Sequence, residues 1–243
     1  MTPPGFGAGS LAARPQRSPC VSGRRHATGH TGPTRRGDRV TDKPQIRVTV
    51  FSDYICPFCY IGDARLQRLR EEFDLKVNWC FLEIHPETPA EGQPVSALGY
   101  PSASWERMMA TLMEMAREDG LVLREHDFTT CSRSALQLAE AAKFIDPVLF
   151  YRLHEALFRA FFVEGENIGS AEVLEELALA AGLSQSQFET ALHDRDAAAR
   201  LRQYRRAAQE LGVQATPTFF IGERRLDGAV PVEELRAAAR AAA

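Results

Sequence analysis

The sequence lacks a long hydrophobic run and is poor in cysteine, and each shortage narrows the functional class. No uninterrupted apolar stretch approaches the ~20 residues of a membrane-spanning helix, so no membrane partner is expected. Only five cysteines occur in 243 residues, an odd set with a single close pair, which argues against the disulfide framework of a small secreted domain. We therefore expect a reducing compartment and predict a cytoplasmic protein.

A basic surface is also missing from the body of the chain. Residues 1–43 hold seven Arg and one Lys against Asp38 and Asp42, a net charge of +6, so the other residues carry −9 of the formal total of −3. Because the body is mildly acidic, it lacks the positive electrostatic potential that attracts a polyanion, and no nucleic-acid partner is expected. The 44% hydrophobic content is enough for a sizeable core.

The first 43 residues are rich in Gly, Pro, Ser, Thr and Arg and hold almost no periodic apolar positions, which predicts a disordered leader. Neither Arg24-Arg25 nor Arg35-Arg36 is followed by the apolar stretch of a secretory signal. The alternative to a leader is that translation begins near Val40, because a GTG start codon reads internally as Val.

Compact structure is predicted from residue 44, where a strand, a helix and a second strand follow one another. Ile46, Val48 and Val50 alternate with more polar neighbours and indicate a strand. Apolar residues then recur at helical spacing from Cys59 onward, and residues 76–82 form the second strand. This order predicts a βαβ unit, followed by a Pro-rich loop over 85–101.

The rest of the chain is predicted to be a helical block and a closing β-hairpin. The predicted helices are 105–117, 134–143, 147–162, 171–181, 184–193 and 195–211. Strands over 218–221 and 224–227 then form a hairpin before a last helix, 232–242. We therefore place domain boundaries at 44–102 for the βαβ part, 103–194 for a helical insertion and 195–243 for the αββα part.

Cys56 and Cys59 form a CxxC pair at the start of the first predicted helix, with Pro57 suited to its first turn. Unpaired N–H groups and the helix dipole lower the pKa of a thiol in this position, which favours the reactive thiolate. Cys59 lies one turn deeper, within reach of a disulfide with Cys56. The spacing predicts that Cys56 attacks a disulfide and Cys59 resolves the product.

The alternative for a CxxC pair is half of a zinc site, with Cys80, Cys131, His85 or a histidine of the helical block as the missing ligands. Structural zinc sites usually draw their ligands as two close pairs, and no second CxxC pair occurs. Redox chemistry is favoured, and we predict no metal.

Thr216-Pro217 stands directly before the closing hairpin. Pro is unfavourable inside a strand, so at this boundary it indicates a turn, in which the Thr216–Pro217 bond is either cis or an ordinary trans bond.

The sequence resembles a known family in three segments: Asp53-Tyr54-Ile55-Cys56-Pro57-Phe58-Cys59-Tyr60-Ile61-Gly62, Phe158-Arg159-Ala160-Phe161-Phe162 with Glu164-Gly165 and Ile168, and the Thr216-Pro217 loop. These segments are similar to the FrnE-like branch of the DsbA family, which is related to 2-hydroxychromene-2-carboxylate isomerases and kappa-class glutathione transferases. The resemblance spans about residues 46–240. It implies an α/β fold of the thioredoxin-like class, with the all-helical insertion between the βαβ unit and the C-terminal ββα unit.

The resemblance also implies site residues. Cys56 is the implied nucleophile, Cys59 the resolving thiol and Pro217 a cis-proline beside them. Thr216 is implied to offer backbone hydrogen bonds to the substrate, and Pro57 and Phe58 to line its groove. The helical block is implied to cap the dithiol.

This chain departs from the family pattern in three places. Val50 stands six positions before Cys56, where relatives carry a buried acid that could serve as a base for the resolving thiol. Cys131-Ser132 replaces a usual Asn-Ser/Thr stretch, and Ala215-Thr216-Pro217 replaces Gly-Val-Pro.

Several other residues have simpler interpretations than a place in the site. Glu83 and His85 lie at the end of the second strand, where exposed polar residues are common, and are not assigned a role. Cys80 is interpreted as a small buried hydrophobe. Four of the five methionines share one predicted helix with Trp105: Met108, Met109, Met113 and Met115. Packing in the core is the simpler interpretation of this group, and a surface that accepts varied apolar partners is the alternative.

The sequence thus predicts a thiol-disulfide oxidoreductase that binds no cofactor, acts on a thiol or disulfide protein or a glutathione-type substrate, and is a monomer or homodimer. Glutathione is a candidate co-substrate. One alternative is a glutathione-dependent isomerase or transferase, in which the catalytic position is commonly Ser; the other is a non-catalytic zinc- or client-binding protein. The direction of electron flow depends on the stability of the Cys56 thiolate relative to the disulfide and stays open.

Overall fold

The computed structural model describes residues 43–124 and 127–243. The predicted leader, apart from Lys43, and the predicted start near Val40 lie outside the described residues. In the described part, no helix is both long enough and apolar enough to cross a bilayer.

A four-stranded mixed sheet forms the centre of the fold, in the order β2-β1-β5-β6. Strand β1 (Gln45–Ser52) pairs in parallel with β2 (Asp74–Phe81), and α1 (Pro57–Arg68) connects them. Strand β5 (Thr218–Ile221) pairs antiparallel with the other edge of β1, and β6 (Arg224–Asp227) closes the hairpin. The predicted strands are confirmed, and the strand units before and after the helical block join in one sheet.

The helical block lies between these strand units, as predicted. It comprises α2 (Ser102–Asp119), α3 (Arg133–Ile145), α4 (Pro147–Arg159), α5 (Ala171–Ala181), α6 (Gln185–Leu192) and α7 (Arg195–Glu210), and α8 (Val232–Ala241) follows the hairpin. The predicted fold class, a thioredoxin-like fold with a helical region between two strand units, is confirmed.

Alternation along the strands divides the core between the two faces of the sheet. Ile46, Val48 and Val50, each 1% exposed, lie on one face in the main core, which also contains side chains of α1 and α8. Phe51 points to the other face and packs with Cys80 and Ala208 of α7. Cys80 is therefore a buried thiol in a small apolar cluster, as its strand position predicted.

Two local features differ from the sequence-based expectation. The loop predicted over 85–101 contains a two-residue strand, β3 (Gln93–Pro94), which pairs with β4 (Phe128–Thr129). Strands this short have no periodicity to detect. Helix α4 changes to a π-helical turn at Ala160–Glu164 and ends at Gly165, whose φ of 77° is in the left-handed region.

Candidate active site

Cys56 occupies the N-cap of α1, four residues after the end of β1. Its carbonyl accepts hydrogen bonds from the backbone N–H groups of Cys59 (3.0 Å) and Tyr60 (3.3 Å), and Pro57 is the first helical residue. The Cys56 side chain is thus held beside the first turn of α1, where backbone dipoles favour a negative charge.

The two cysteines are free thiols that approach to 3.4 Å, and their acidities differ. The pKa of Cys56 is lowered, mainly because the Cys59 thiol donates a hydrogen bond to its sulfur, an effect that burial opposes. The pKa of Cys59 is raised well above its usual range, first by burial and then by that same hydrogen bond. Cys56 is therefore the thiol of the pair that ionises more readily, and Cys59 is the thiol that keeps its proton.

The loop before β5 faces Cys56. In its thiol form, Cys56 Sγ donates to the backbone carbonyl of Thr216 at 3.3 Å, across 160 positions of sequence. The Thr216–Pro217 peptide bond is cis. Pro217 lies against α1 at Gly62, where a Cβ atom would come within 2.9 Å of Pro217 Cγ, so a glycine permits this close approach.

An apolar pocket of about 420 Å³ opens beside Cys56. Cys56, Pro57, Phe58 and Thr216 all line it, so the structure brings together four of the six predicted site residues at one cavity. Cys59 lies behind Cys56, 1% exposed, and Pro217 is buried against α1. The other walls include side chains of α2, the turn after α4 and the loop after β2: Trp105, Met108, Met109, Leu112, Phe161, Phe162 and His85.

This lining refines the interpretation of two features of the sequence. Met108 and Met109 line the pocket, whereas Met113 is 41% exposed, so α2 is not an ordinary buried helix. His85, left unassigned from sequence, also lines the pocket, and burial lowers its pKa. Glu83 points elsewhere, toward Arg133 and Arg205.

The sequence-based prediction missed Asp53, a fully buried carboxyl three residues before Cys56. Its backbone N–H donates to Cys59 Sγ at 3.5 Å. Burial raises the pKa of its carboxyl from 3.8 to about 7. Val50, the position where relatives carry a buried acid, is instead 1% exposed in the apolar core. The signal in the sequence is an acid three residues before the CxxC pair, which belongs to the segment that resembles the family but receives no role from the sequence alone.

The remaining thiol near this region is Cys131, whose Sγ–H donates to Glu83 Oε1 at 3.4 Å. Its pKa is raised, first by partial burial and further by Glu83, so it lacks the activation of Cys56. Across residues 43–124 and 127–243, no group of three or more His, Cys, Asp or Glu side chains is arranged to hold a metal ion.

Comparison with known proteins agrees with this fold. The family model of the DSBA-like thioredoxin domain matches residues 47–240. The chain is 29% identical to YwbO of Bacillus subtilis, an uncharacterized protein, over 193 residues that cover 76% of this chain and 90% of YwbO. A probable DsbA oxidoreductase from Streptomyces coelicolor superposes with a TM-score of 0.71 at 27% identity, covering 81% of this chain and 89% of that structure.

A 2-hydroxychromene-2-carboxylate isomerase superposes with a TM-score of 0.58 at 20% identity, covering 79% of this chain and 93% of that structure, a likeness that shows the fold alone. The family match takes in β1 from residue 47, the other three strands of the central sheet, the CxxC helix, the helical block and the Thr216-Pro217 loop. The chain therefore belongs to the DSBA-like thioredoxin domain family, whose fold is that of DsbA-type oxidoreductases.

Proposed function

We propose that the protein is a thiol-disulfide oxidoreductase that exchanges disulfides through Cys56 and Cys59. The observation that carries the proposal is the asymmetry of the pair. Cys56 lines the pocket and has a lowered pKa, while Cys59 lies behind it, more deeply buried, with a raised pKa. A nucleophile needs access and thiolate character, and a resolving thiol needs proximity to the nucleophile rather than to the substrate.

The reaction follows from this arrangement. The Cys56 thiolate attacks one sulfur of a partner disulfide, a mixed disulfide forms, and the partner's other sulfur leaves as a thiolate. Cys59, 3.4 Å away, then loses its proton and attacks Cys56 Sγ, so the partner leaves with one thiol and one thiolate and Cys56–Cys59 becomes a disulfide. The two electrons pass from the protein to the partner. In the oxidising direction the same steps run backwards.

The pocket limits the substrates that fit this mechanism. Its volume of about 420 Å³ lies in the range of small-ligand sites, and its walls are mostly aromatic and aliphatic. A disulfide or thiol flanked by apolar groups, carried by a peptide or by a small thiol such as glutathione, suits these walls. No resident cofactor is needed for the exchange, and we place the protein in the cytoplasm because of its sparse, odd set of cysteines.

The proposal is tested by turnover of a disulfide substrate, such as insulin with a thiol reductant. Cys56→Ser should abolish turnover, and Cys59→Ser should abolish it while trapping a mixed disulfide at Cys56. Cys131→Ser is the matched control, since it removes a thiol that lacks activation, and it should keep full activity. Full turnover by Cys59→Ser would overturn the dithiol mechanism.

A glutathione-dependent isomerase is the second candidate, favoured by the size of the pocket beside Cys56. Such a reaction uses one activated position and not a dithiol. Glutathione-dependent isomerisation that survives Cys59→Ser would favour it. Stoichiometric zinc in the reduced protein, lost in Cys56→Ser, would instead favour the non-catalytic zinc-binding alternative.

A further inference from the structure

Asp53 is a buried carboxyl that the exchange mechanism does not use. Its side chain is 0% exposed, and its oxygens accept three hydrogen bonds from neutral donors. Oδ1 accepts from the backbone N–H of Ile55 at 3.3 Å. Oδ2 accepts from the N–H of Ile84 at 2.8 Å and from the Ser132 hydroxyl at 3.0 Å. The carboxyl therefore joins the turn before α1, the end of β2 and the start of α3.

The same residue contacts the dithiol directly. The backbone N–H of Asp53 donates to Cys59 Sγ at 3.5 Å, and Oδ1 is held by the residue that precedes Cys56. A Cys56 thiolate and an Asp53 carboxylate would thus be two negative charges within one buried region. Such a pair is costly in a low dielectric, and one of the two charges is expected to be neutralised by a proton.

The surrounding charges do not remove this conflict. Three elements present titratable groups near Asp53. The start of α1 presents Tyr54, Cys56 and Cys59. The segment after β2 presents Glu83, and the start of α3 presents Cys131 and Arg133. Arg133 and Arg205 both pair with Glu83, and both side chains are more than half exposed, so solvent and salt screen their positive charges. Glu83 itself opposes the ionisation of Asp53.

We propose that Asp53 is a proton-linked positioning residue of the dithiol, which gains a proton when the Cys56–Cys59 disulfide is reduced and releases it when the disulfide reforms. The inference rests on the proposed dithiol function. In the reducing half-reaction, a partner dithiol supplies two electrons and two protons. The Cys56–Cys59 bond breaks, one proton stays on Cys59, and the second goes to the Asp53 carboxylate while Cys56 remains a thiolate.

The acidity of the carboxyl supports this assignment. Burial raises its pKa to about 7, against the effect of its three hydrogen bonds. A group that titrates near neutrality can take up and release a proton under ordinary conditions, which a carboxyl with the ordinary pKa of 3.8 cannot.

Carboxyl ¹³C NMR of the Asp-labelled protein tests the coupling without any turnover. The Asp53 signal should titrate about one pH unit higher in the reduced protein than in the oxidised protein, a tenfold change in proton affinity. In reduced Cys56→Ser, which cannot form the thiolate, the Asp53 pKa should return to the value in the oxidised protein. Equal Asp53 pKa values in the two redox states would overturn the proposal.

Thiolate absorbance supplies the reciprocal measurement. Asp53→Asn removes the opposing charge and should lower the pKa of Cys56 by about 0.5 to 1 unit, a three- to tenfold gain in thiolate below that pKa. Asp74→Asn removes a carboxyl at the far end of β2 whose side chain is 44% exposed, and it should leave the Cys56 pKa unchanged. An Asp53→Asn protein with an unchanged Cys56 pKa would show a structural role only.

Ser132→Ala provides a second variant if Asp53→Asn fails to fold. Loss of the Ser132 hydroxyl removes one hydrogen bond to the carboxylate, so the Asp53 pKa should rise in both redox states while the difference between them persists. Both measurements use protein that is chemically oxidised or reduced. If the protein has no disulfide-exchange activity but its Asp53 pKa still depends on redox state, the proposed function is refuted and this inference is not. If the protein is active but its Asp53 pKa is the same in both redox states, this inference is refuted and the proposed function is not.

Discussion

The hydroxyl of Tyr54 lies 2.7 Å from Nδ1 of His154, although the two residues are 100 positions apart. Tyr54 stands two residues before Cys56, and His154 lies in α4, within the helical block. Both side chains are buried, and their rings pack edge to face. The contact ties the segment just before Cys56 to α4 of the helical block.

Tyr54→Phe should destabilise the protein by about 1–3 kcal/mol, because it leaves a buried imidazole nitrogen without this partner. Urea denaturation measures the change. Tyr60→Phe is the matched control, since Tyr60 is partly exposed, and its effect should be within about 0.5 kcal/mol. Equal effects of the two substitutions would show that the buried contact adds nothing to stability.

The end of α2 is fixed to α1 by a buried ion pair, Arg65–Asp119, with 2.6 Å between Nε and Oδ2. Asp119→Ala leaves the buried Arg65 without that anion and should cost about 3–5 kcal/mol in the free energy of unfolding. Glu118→Ala removes a neighbouring exposed carboxylate that lies 3.9 Å from the same guanidinium. This control should cost less than about 1 kcal/mol. A small loss for Asp119→Ala would mean that the pair does not hold α2 in place.

Asp53 should make the stability of the reduced protein depend on pH. Its folded pKa is about 7 against 3.8 for an unperturbed carboxyl, so the folded protein keeps a proton that the unfolded chain releases. The unfolding free energy should therefore fall as pH rises between about 4 and about 7, by up to about 1.4 kcal/mol per unit from this group. Denaturation of the wild type and Asp53→Asn at several pH values isolates this slope, which the variant should lack.

Asp74 serves as a control for Asp53, because its pKa is shifted in the opposite direction. The hydrogen bond from Lys76 lowers its pKa, so its contribution to stability is present above the unfolded pKa and is lost as pH falls through the lower folded pKa. Asp74→Asn should therefore leave the slope between about pH 4 and about pH 7 as in the wild type. An equal loss of slope in both variants would contradict the assignment to Asp53.

Trp105, on α2, forms part of the wall of the pocket beside Cys56. Trp105→Ala should raise the KM for an apolar-flanked disulfide by about tenfold, a loss of about 1.4 kcal/mol of binding, without changing the thiolate pKa of Cys56. Steady-state kinetics and thiolate absorbance separate the two quantities. Glu114→Ala, an exposed position on the same helix, should change neither. A change in the Cys56 pKa in Trp105→Ala would show that α2 acts on the thiol as well as on binding.

The amino-acid pattern predicted the βαβ unit, the helical block, the closing hairpin and the place of the cysteine pair, and the family resemblance supplied the thioredoxin-like class. Alternation in β1, helical periodicity in the block and turn residues around the hairpin are local signals, and the corresponding elements are all present. The ribbon of β3 and β4 was not predicted, because two-residue strands form only when segments far apart in sequence meet.

The sequence by itself determined that Cys56 lies at the start of a helix with Cys59 three residues later, because both features are encoded in a few consecutive positions. The tertiary structure decided what surrounds the pair. Burial of Asp53 depends on Ser132, 79 positions away, and the position of Tyr54 depends on His154. The pKa of a carboxyl or a thiol is set by its whole environment, which exists only after β2, the helical block and the Thr216 loop have packed around the start of α1.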